Sequence, residues 1–128
     1  MRILIVEDEV FIALDLEMQL MDMGHEVVGI AACKATAIEL ASAHTPDLAL
    51  VDLHLARSSS GAEAAAFMRA DLGIPSIIVS GSLHELTEAE IFAIDPIAMI
   101  GKPFSSMKLH GAIRGAANSQ DRFRDAKT

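Results

Sequence analysis

Tryptophan and tyrosine are absent from the sequence, and cysteine occurs once, at Cys33. A single cysteine cannot form an internal disulfide, which excludes a disulfide-stabilised fold and favours a reducing compartment. Basic residues are also scarce, because 10 Lys and Arg stand against 18 Asp and Glu and give a formal net charge of −8. Since binding to nucleic acid depends mainly on Lys and Arg, this balance argues against a nucleic-acid surface.

Long hydrophobic runs are missing too. The apolar runs are short, whereas a membrane-spanning helix needs about 20 apolar residues. The first residues, MRILIV, enter a strand pattern directly, without the charged, apolar and cleavage regions of a signal peptide. The 128 residues are 52% hydrophobic and 22% charged, which is typical of one globular domain. We therefore expect a cytoplasmic protein without a membrane partner.

The chain alternates between short apolar runs and amphipathic segments. The runs predict strands at residues 2–6, 25–30, 48–53, 76–79 and 97–100. The segments predict helices at residues 9–23, 34–43, 60–71, 88–93 and 106–116, and capping boxes at Ser60 with Glu63 and at Thr87 with Glu90. This order predicts an α/β, doubly wound five-stranded parallel sheet with helices on both faces, over residues 1–117. Residues 118–128 are polar, and we expect them to form a flexible tail.

Polar residues stand where four of the predicted strands end: Glu7 and Asp8, Asp52, Ser80, and Lys102. The carboxyl ends of parallel strands meet at one edge of a sheet, so these side chains should converge. Three carboxylates would repel one another unless a divalent cation joined them, and oxygen ligands without a Cys or His cluster favour Mg²⁺. A lysine and a hydroxyl suit the oxygens of a phosphoryl group. The pattern predicts a site that holds a phosphoryl group on or near Asp52, with the carboxylate as nucleophile.

These residues, in this order and at these strand ends, resemble the receiver domain of two-component response regulators, and in particular a chemotaxis-type single-domain receiver. The resemblance covers roughly residues 1 to 117. It implies the flavodoxin-like strand order 2-1-3-4-5. It also implies that Asp52 is the phosphoacceptor, that Asp8 and Asp52 are direct Mg²⁺ ligands, and that Glu7 is a water-mediated one. The backbone carbonyl of His54 would complete the protein ligands.

The same resemblance assigns the remaining site residues and the partners. Ser80 would hydrogen-bond the phosphoryl group, and Lys102 would pair with it, presented by a cis peptide bond to Pro103. The donor would be a histidine kinase or a histidine phosphotransfer protein, and the signal would leave through phosphorylation-dependent protein contacts. We expect Mg²⁺-dependent self-phosphorylation from a donor and slow autodephosphorylation, without turnover of an independent substrate. A homodimer is a further candidate assembly.

The chain also departs from the family pattern. Receivers usually carry an aromatic residue three positions before the lysine, where this chain has Met99. The loop after Asp52 lacks the common proline-glycine turn and reads Leu55 to Ser60 instead. The resemblance therefore does not extend to the usual coupling of hydroxyl and aromatic rotamer or to the usual shape of the loop after the third strand, whereas the metal site is intact.

Two other α/β classes fit less well, and a third alternative stays open. A haloacid-dehalogenase-type phosphatase needs a second Asp two residues after the nucleophile, where this chain has His54. A flavodoxin-type electron carrier needs a phosphate-binding loop after the first strand, where this chain has Glu7, Asp8 and Glu9. The open alternative is the receiver portion of a longer response regulator such as a transcription factor. We expect a free-standing receiver, because the sequence as given contains no output domain.

The first predicted helix has more apolar residues than one core-facing stripe can use. They are Val10, Phe11, Ile12, Leu14, Leu16, Met18, Leu20, Met21 and Met23. The excess indicates either a wide buried face or an adaptable, Met-rich docking patch. In receivers this helix and the junction after the fifth strand are where kinases or phosphotransfer proteins dock. We expect docking here, with Ile12 and Leu16 as the first candidates for exposed contact residues.

Overall fold

The computed structural model of the protein describes the backbone of residues 1–127 and the side chains of residues 1–57 and 59–119. Five strands form one parallel sheet: β1 (Arg2–Val6), β2 (Glu26–Ala31), β3 (Leu48–Val51), β4 (Ser76–Ser80) and β5 (Ala98–Gly101). They lie in the order β2-β1-β3-β4-β5. This order confirms the one that the receiver resemblance implied, and every neighbouring pair is parallel.

Five helices connect and follow the strands: α1 (Val10–Asp22), α2 (Lys34–His44), α3 (Gly61–Leu72), α4 (Glu88–Ile94) and α5 (Ser106–Lys127). The predicted end of the last helix at Ala116 is wrong, because α5 continues to Lys127. Residues 116–127 contain neither Gly nor Pro and are rich in Ala, Arg and other residues that tolerate a helix. The flexibility of residues 118–128 stays a prediction, and Thr128 lies outside the described residues. None of the helices described is both long and apolar enough to cross a bilayer.

Each face of the sheet carries its own core. Leu4 and Val6 pack with residues of α2, α3 and α4, whereas Ile3 and Ile5 pack with residues of α1 and α5. All four residues of β3 are buried, in agreement with an apolar run that lacks alternation. Burial of one large aliphatic side chain contributes about 1.5 to 3 kcal/mol, so the two cores hold the strand ends in fixed positions.

Side-chain caps fix where two helices begin. The Thr87 hydroxyl accepts a hydrogen bond from the Glu90 amide, and the Glu90 carboxylate accepts one from the Thr87 amide, which confirms the predicted capping box. Ser60 accepts a hydrogen bond from the Glu63 amide as predicted. The Glu63 carboxylate instead binds the Lys34 ammonium at 2.9 Å, so this second box is only half formed. The charged ammonium of Lys34 is a stronger hydrogen-bond donor than the neutral amide of Ser60.

Candidate functional site

Asp52 is the first residue after β3, and backbone contacts hold it against β1. Its amide donates a hydrogen bond to the Val6 carbonyl at 2.9 Å, at the point where β1 ends. Glu7 follows Val6, and its amide donates a hydrogen bond to the Ala31 carbonyl at 2.9 Å. Asp52 is 8% exposed and Glu7 is 3% exposed. Two carboxylates are therefore held side by side, and nearly buried, at the carboxyl edge of the sheet.

Asp8 joins these two residues in a cluster of carboxylates. One oxygen from each of Glu7, Asp8 and Asp52 lies within 4.8 Å of the others. The three residues that the sequence proposed as side-chain metal ligands are thus brought together. Their oxygen atoms are hard donors, and the spread between them suits a cation that keeps some of its own water ligands. The donor set fits Mg²⁺ better than a metal that prefers nitrogen or sulfur ligands.

Lys102 supplies the positive charge of the site. Its ammonium lies 2.5 Å from Glu7 Oε1 and 3.1 Å from Asp52 Oδ2, and Glu9 Oε2 is 3.7 Å away. Burial alone would lower the pKa of Lys102, but its hydrogen bonds and charge interactions with Glu7 and Asp52 outweigh that effect and raise the pKa. The ammonium therefore stays charged between the two carboxylates.

Within the cluster, Glu7 is the carboxylate whose pKa is raised. Burial raises the pKa of Glu7, and the negative charge of Asp52 raises it further. Hydrogen bonds from Lys102 and from the Glu9 amide act in the opposite direction without cancelling the rise. The ionised form of Glu7 is therefore destabilised, and a cation bound beside it would stabilise that form.

Ser80 ends β4, the strand next to β3. Val51 of β3 pairs with Ile78 of β4, so Asp52 and Ser80 follow neighbouring strands to the same edge. The Ser80 side chain is buried, and its hydroxyl accepts a hydrogen bond from the Ser82 amide at 3.1 Å. A hydroxyl that accepts one bond retains its own hydrogen for donation. Ser80 therefore presents a donor at the edge where Asp52 and Lys102 meet.

His54, two residues after Asp52, has an exposed side chain that contacts Glu85. Its Nε2 lies 2.6 Å from Oε2 of Glu85, a residue of the short 3-10 turn Leu83–Glu85 that precedes α4. The proposed role of the His54 carbonyl as a metal ligand stays a prediction. Sequence reasoning missed both Glu85 and Glu9, because an exposed glutamate in a loop has no spacing signal that links it to a site.

The loop after Asp52 contains a short helical turn and lies close to the strand ends. A 3-10 turn at Ala56–Ser58 is tied to the end of β2, because the Ala56 amide donates to the Ala32 carbonyl at 2.9 Å. The loop then returns so closely that a Cβ atom on Gly61 would lie 1.7 Å from the Asp52 carbonyl oxygen. Only glycine fits at this position, and sequence reasoning missed its role.

An apolar groove opens beside Lys102, between α1 and the junction that follows β5. We call it the α1 groove; its cavity of about 700 Å³ is lined by Phe11, Ile12, Asp15, Lys102, Pro103 and Phe104, among others. Phe11 is 89% exposed. The choice of Leu16 as an exposed residue is wrong, because it is 2% exposed and belongs to the core, and Ile12 is only partly exposed. Ala13, Leu16 and Leu20 form the buried stripe, and the sequence pattern does not single it out because the apolar residues of α1 extend well beyond one stripe.

Comparison with known proteins identifies the class of the domain. A family model described as the response regulator receiver domain matches residues 3–114. The phyllosphere-induced regulator PhyR from Methylorubrum extorquens is 34% identical over 116 residues, which cover 90% of this chain and 43% of the relative. The transcriptional regulatory protein PdtaR from Mycobacterium tuberculosis is 36% identical over 125 residues, which cover 97% and 58%.

A solved structure agrees with these relatives in fold. The response regulator PhyR from Brucella abortus superposes with a TM-score of 0.82 at 32% identity, over 98% of this chain and 51% of that one. The chain spans about half the length of the curated relatives it matches. Because the family model covers most of the chain and both relatives exceed 30% identity, this chain belongs to the response regulator receiver domain family.

Proposed function

We propose that the protein accepts a phosphoryl group on Asp52, from the phosphohistidine of a histidine kinase or a histidine phosphotransfer protein, in a reaction that requires Mg²⁺. Phosphorylation and magnesium binding are general features of receiver domains in two-component signalling. The observation that carries the assignment to Asp52 is its contact with the Lys102 ammonium next to the carboxylates of Glu7 and Asp8. An Asp oxygen attacks the phosphorus, and the bond from phosphorus to the donor nitrogen breaks with its electron pair left on the imidazole.

Each residue of the site has a separate task in this proposal. Glu7, Asp8, Asp52 and the His54 carbonyl would hold Mg²⁺, which when bound neutralises negative charge on the transferred group. Lys102 pairs with a phosphoryl oxygen and compensates the charge that Asp52 gains on phosphorylation. Ser80 donates its hydroxyl hydrogen to another phosphoryl oxygen. The same groups would support slow hydrolysis of the aspartyl phosphate, without turnover of any other substrate.

The α1 groove supports docking of the phosphodonor protein. It adjoins Lys102, and its rim includes Phe11, a large apolar side chain that is almost fully exposed. A phosphohistidine protein seated there would approach the carboxyl edge of the sheet, where Asp52 lies. We further propose that the domain is cytoplasmic, binds neither nucleic acid nor a membrane, and signals through phosphorylation-dependent contacts with protein partners, including a second copy of itself. The net charge of −8 supports the exclusion of nucleic acid.

One observation favours a second candidate function for the whole protein. The curated relatives are about twice as long as the matched region, so the domain would also suit the receiver portion of a longer response regulator such as a transcription factor. The free-standing receiver and the longer regulator share the chemistry of Asp52 and differ in how the signal leaves. Intact mass of the natural protein, recovered with an antibody against this domain, separates them: a mass near 13.6 kDa supports the free-standing form.

The proposed phosphoacceptor can be tested by intact mass after incubation with a small acyl phosphate and Mg²⁺. We expect a mass increase of one phosphoryl group that is lost with a chelator and in Asp52→Asn. Asp71→Asn, which changes an exposed carboxylate at the end of α3, is the matched control and should retain the modification. Borohydride reduction before proteolysis converts an aspartyl phosphate to homoserine and so marks its position. Modification that persists in Asp52→Asn would move the site elsewhere.

A further inference from the structure

A further carboxylate, that of Glu9, lies next to the Lys102 ammonium. Glu9 Oε2 is 3.7 Å from Lys102 Nζ, beyond the closer contacts that this ammonium makes with Glu7 and Asp52. The Glu9 side chain is 63% exposed, whereas that of Lys102 is 15% exposed. Glu9 also lines the α1 groove together with Lys102. Glu9 is therefore the carboxylate of this group that solvent and an incoming phosphodonor can reach.

Neither helix capping nor fold stability explains this placement of Glu9. It is the N-cap residue of α1, where a negative charge is favourable, but its side chain makes no capping hydrogen bond. Its amide is engaged elsewhere and donates to Glu7 Oε2 at 3.2 Å. Lys102 already has two closer carboxylate partners, and an ion pair with an exposed glutamate contributes little to stability. The charge of Glu9 therefore acts mainly on what approaches the site.

The charge of Glu9 is also the one that the proposed site leaves unbalanced. With Mg²⁺ bound as proposed, the cation and the Lys102 ammonium together neutralise the carboxylates of Glu7, Asp8 and Asp52. Within the part of the chain whose side chains are described, Lys102 is the only ion-pair partner of Glu9. A net negative charge therefore remains on the side of the site that faces the α1 groove.

The geometry limits how far this charge lies from a bound phosphoryl group. In the proposed function Lys102 pairs with a phosphoryl oxygen, and such charge-assisted contacts are about 2.7 to 2.9 Å long. Together with the 3.7 Å between Glu9 Oε2 and Lys102 Nζ, this contact limits the separation of the glutamate and phosphoryl oxygens to about 7 Å. The Debye length is about 8 Å at physiological ionic strength, so the two groups repel each other with little screening.

We propose that Glu9 is a specificity-determining residue that selects phosphodonors by charge, and that it disfavours dianionic acyl phosphates relative to donors with a protonated phosphorus–nitrogen bond. This inference rests on the proposed function. With an acyl phosphate, an Asp52 oxygen bonds to phosphorus as the bond from phosphorus to the acyl oxygen breaks with its electron pair left on the departing carboxylate. With phosphoramidate, whose nitrogen is protonated near neutral pH, the phosphorus–nitrogen bond breaks and the electron pair leaves with ammonia. Phosphoramidate is a monoanion and so meets about half of the repulsion from Glu9.

Phosphorylation rates with two small donors test this inference. Wild type, Glu9→Gln and Asp22→Asn are incubated with acetyl phosphate or phosphoramidate at the same saturating Mg²⁺ and ionic strength, and intact mass records the initial rates. In about 0.1 M salt, we expect Glu9→Gln to raise the rate with the dianion acetyl phosphate about threefold and the rate with phosphoramidate less than about twofold. Asp22→Asn removes an exposed carboxylate from the far end of the same helix and should match the wild type.

Two further measurements separate donor selection from a structural effect. Glu9→Lys reverses the charge and should favour acetyl phosphate over phosphoramidate more strongly than Glu9→Gln does. The urea midpoint of Glu9→Gln without divalent cations should not fall below that of the wild type, because the exposed pair with Lys102 contributes little to stability. A change in rate that is no larger with acetyl phosphate than with phosphoramidate, or no change with either, would overturn the inference. Failure of the wild type to gain a phosphoryl group from either donor would instead overturn the proposed function.

Discussion

The ammonium of Lys102 lies 2.5 Å from Oε1 of Glu7, and this contact joins residues that are 95 positions apart in the chain. The Glu7 side chain is 2% exposed and that of Lys102 is 15% exposed. An ionised carboxylate at such a depth is costly unless a positive charge is close to it. The contact therefore links the end of β1 to the end of β5 and makes Lys102 part of the stability of the site as well as of its proposed chemistry.

Replacement of this lysine should measure that contribution. In Lys102→Met the apolar stem remains, but Glu7 and Asp52 lose their cationic partner. We expect the free energy of unfolding, measured in urea without divalent cations, to fall by about 2 to 4 kcal/mol. Lys108→Met removes an exposed lysine from α5 and should change stability by less than about 0.5 kcal/mol. Equal effects of the two substitutions would contradict a structural role for the Lys102 ammonium.

Magnesium should stabilise the folded protein by mass action. A ligand that binds only the native state adds about 1.4 kcal/mol at ten times its Kd, which for a domain of this size raises the Tm by roughly 4 to 7 °C. Thermal melts with Mg²⁺, compared with NaCl at the same ionic strength, measure this shift. A Tm that does not depend on Mg²⁺ at millimolar concentrations would count against a formed metal site.

Asp8→Asn provides the matched test of the same site, with two readouts of opposite sign. Among the described residues, no hydrogen bond or ion pair holds the Asp8 carboxylate, whereas Glu7 and Asp52 share Lys102. Removal of its charge should relieve repulsion and raise the free energy of unfolding without Mg²⁺ by up to about 1 kcal/mol, and so raise the Tm. It should also abolish the Mg²⁺-dependent shift, and the control Glu39→Gln on α2 should leave both values unchanged.

The sequence predicted the sheet and the carboxylate cluster because both follow from local pattern plus topology. Leu48 to Val51 form an apolar run without alternation, and such a run fits a strand buried on both faces. Once the strands are parallel, their carboxyl ends share an edge, and Glu7, Asp8 and Asp52 are brought there by chain direction alone. No side-chain detail was needed for this part of the prediction.

Features that depend on packing between distant segments were not predictable in this way. The choice of Leu16 as an exposed residue failed because the apolar residues of α1 cover more than one stripe, so the contacts with β1 and α5 decide which of them are buried. The pair of His54 with Glu85 depends on the path of two loops, and loop paths are not encoded by periodicity. The length of α5 was missed because a polar segment without Gly or Pro fits a helix and a tail equally well.

Replacement of Gly61 by alanine should lower the free energy of unfolding. A Cβ atom in Gly61→Ala would meet the Asp52 carbonyl oxygen and the Leu53 Cα, both backbone atoms that cannot rotate away. We expect urea unfolding to show a loss of about 3 kcal/mol or more. Gly111→Ala has no neighbouring atom within 4 Å of the added carbon and lies in α5, so it should add up to about 1 kcal/mol. Destabilisation of similar size at both positions would refute the close approach at Asp52.

The last prediction concerns recognition of the phosphodonor protein at the α1 groove. Phe11 is 89% exposed on the rim of this groove, beside the junction that carries Lys102. In Phe11→Glu, a carboxylate would replace the apolar ring that contacts a docked kinase or phosphotransfer protein. This carboxylate would lose its hydration on docking. We expect the rate of phosphoryl transfer from the cognate donor to fall about tenfold or more, because one large side chain buried at the centre of an interface can contribute about 2 kcal/mol or more. Phosphorylation by a small acyl phosphate should remain normal, because Phe11 belongs neither to the carboxylate cluster nor to the ion pairs of Lys102.

Phe92 on α4 offers a control of the same residue type and the same exposure. It is 88% exposed and lies away from the α1 groove, on the helix that follows β4. Phe92→Glu introduces the same charge at a similarly exposed position outside the α1 groove, so it should leave transfer from the cognate donor unchanged. A loss in both variants would reflect a general effect of added negative charge on the encounter with the donor, which high salt would screen. A loss in Phe11→Glu alone, persisting at high salt, would identify the α1 groove as the docking site, whereas normal transfer in that variant would exclude it.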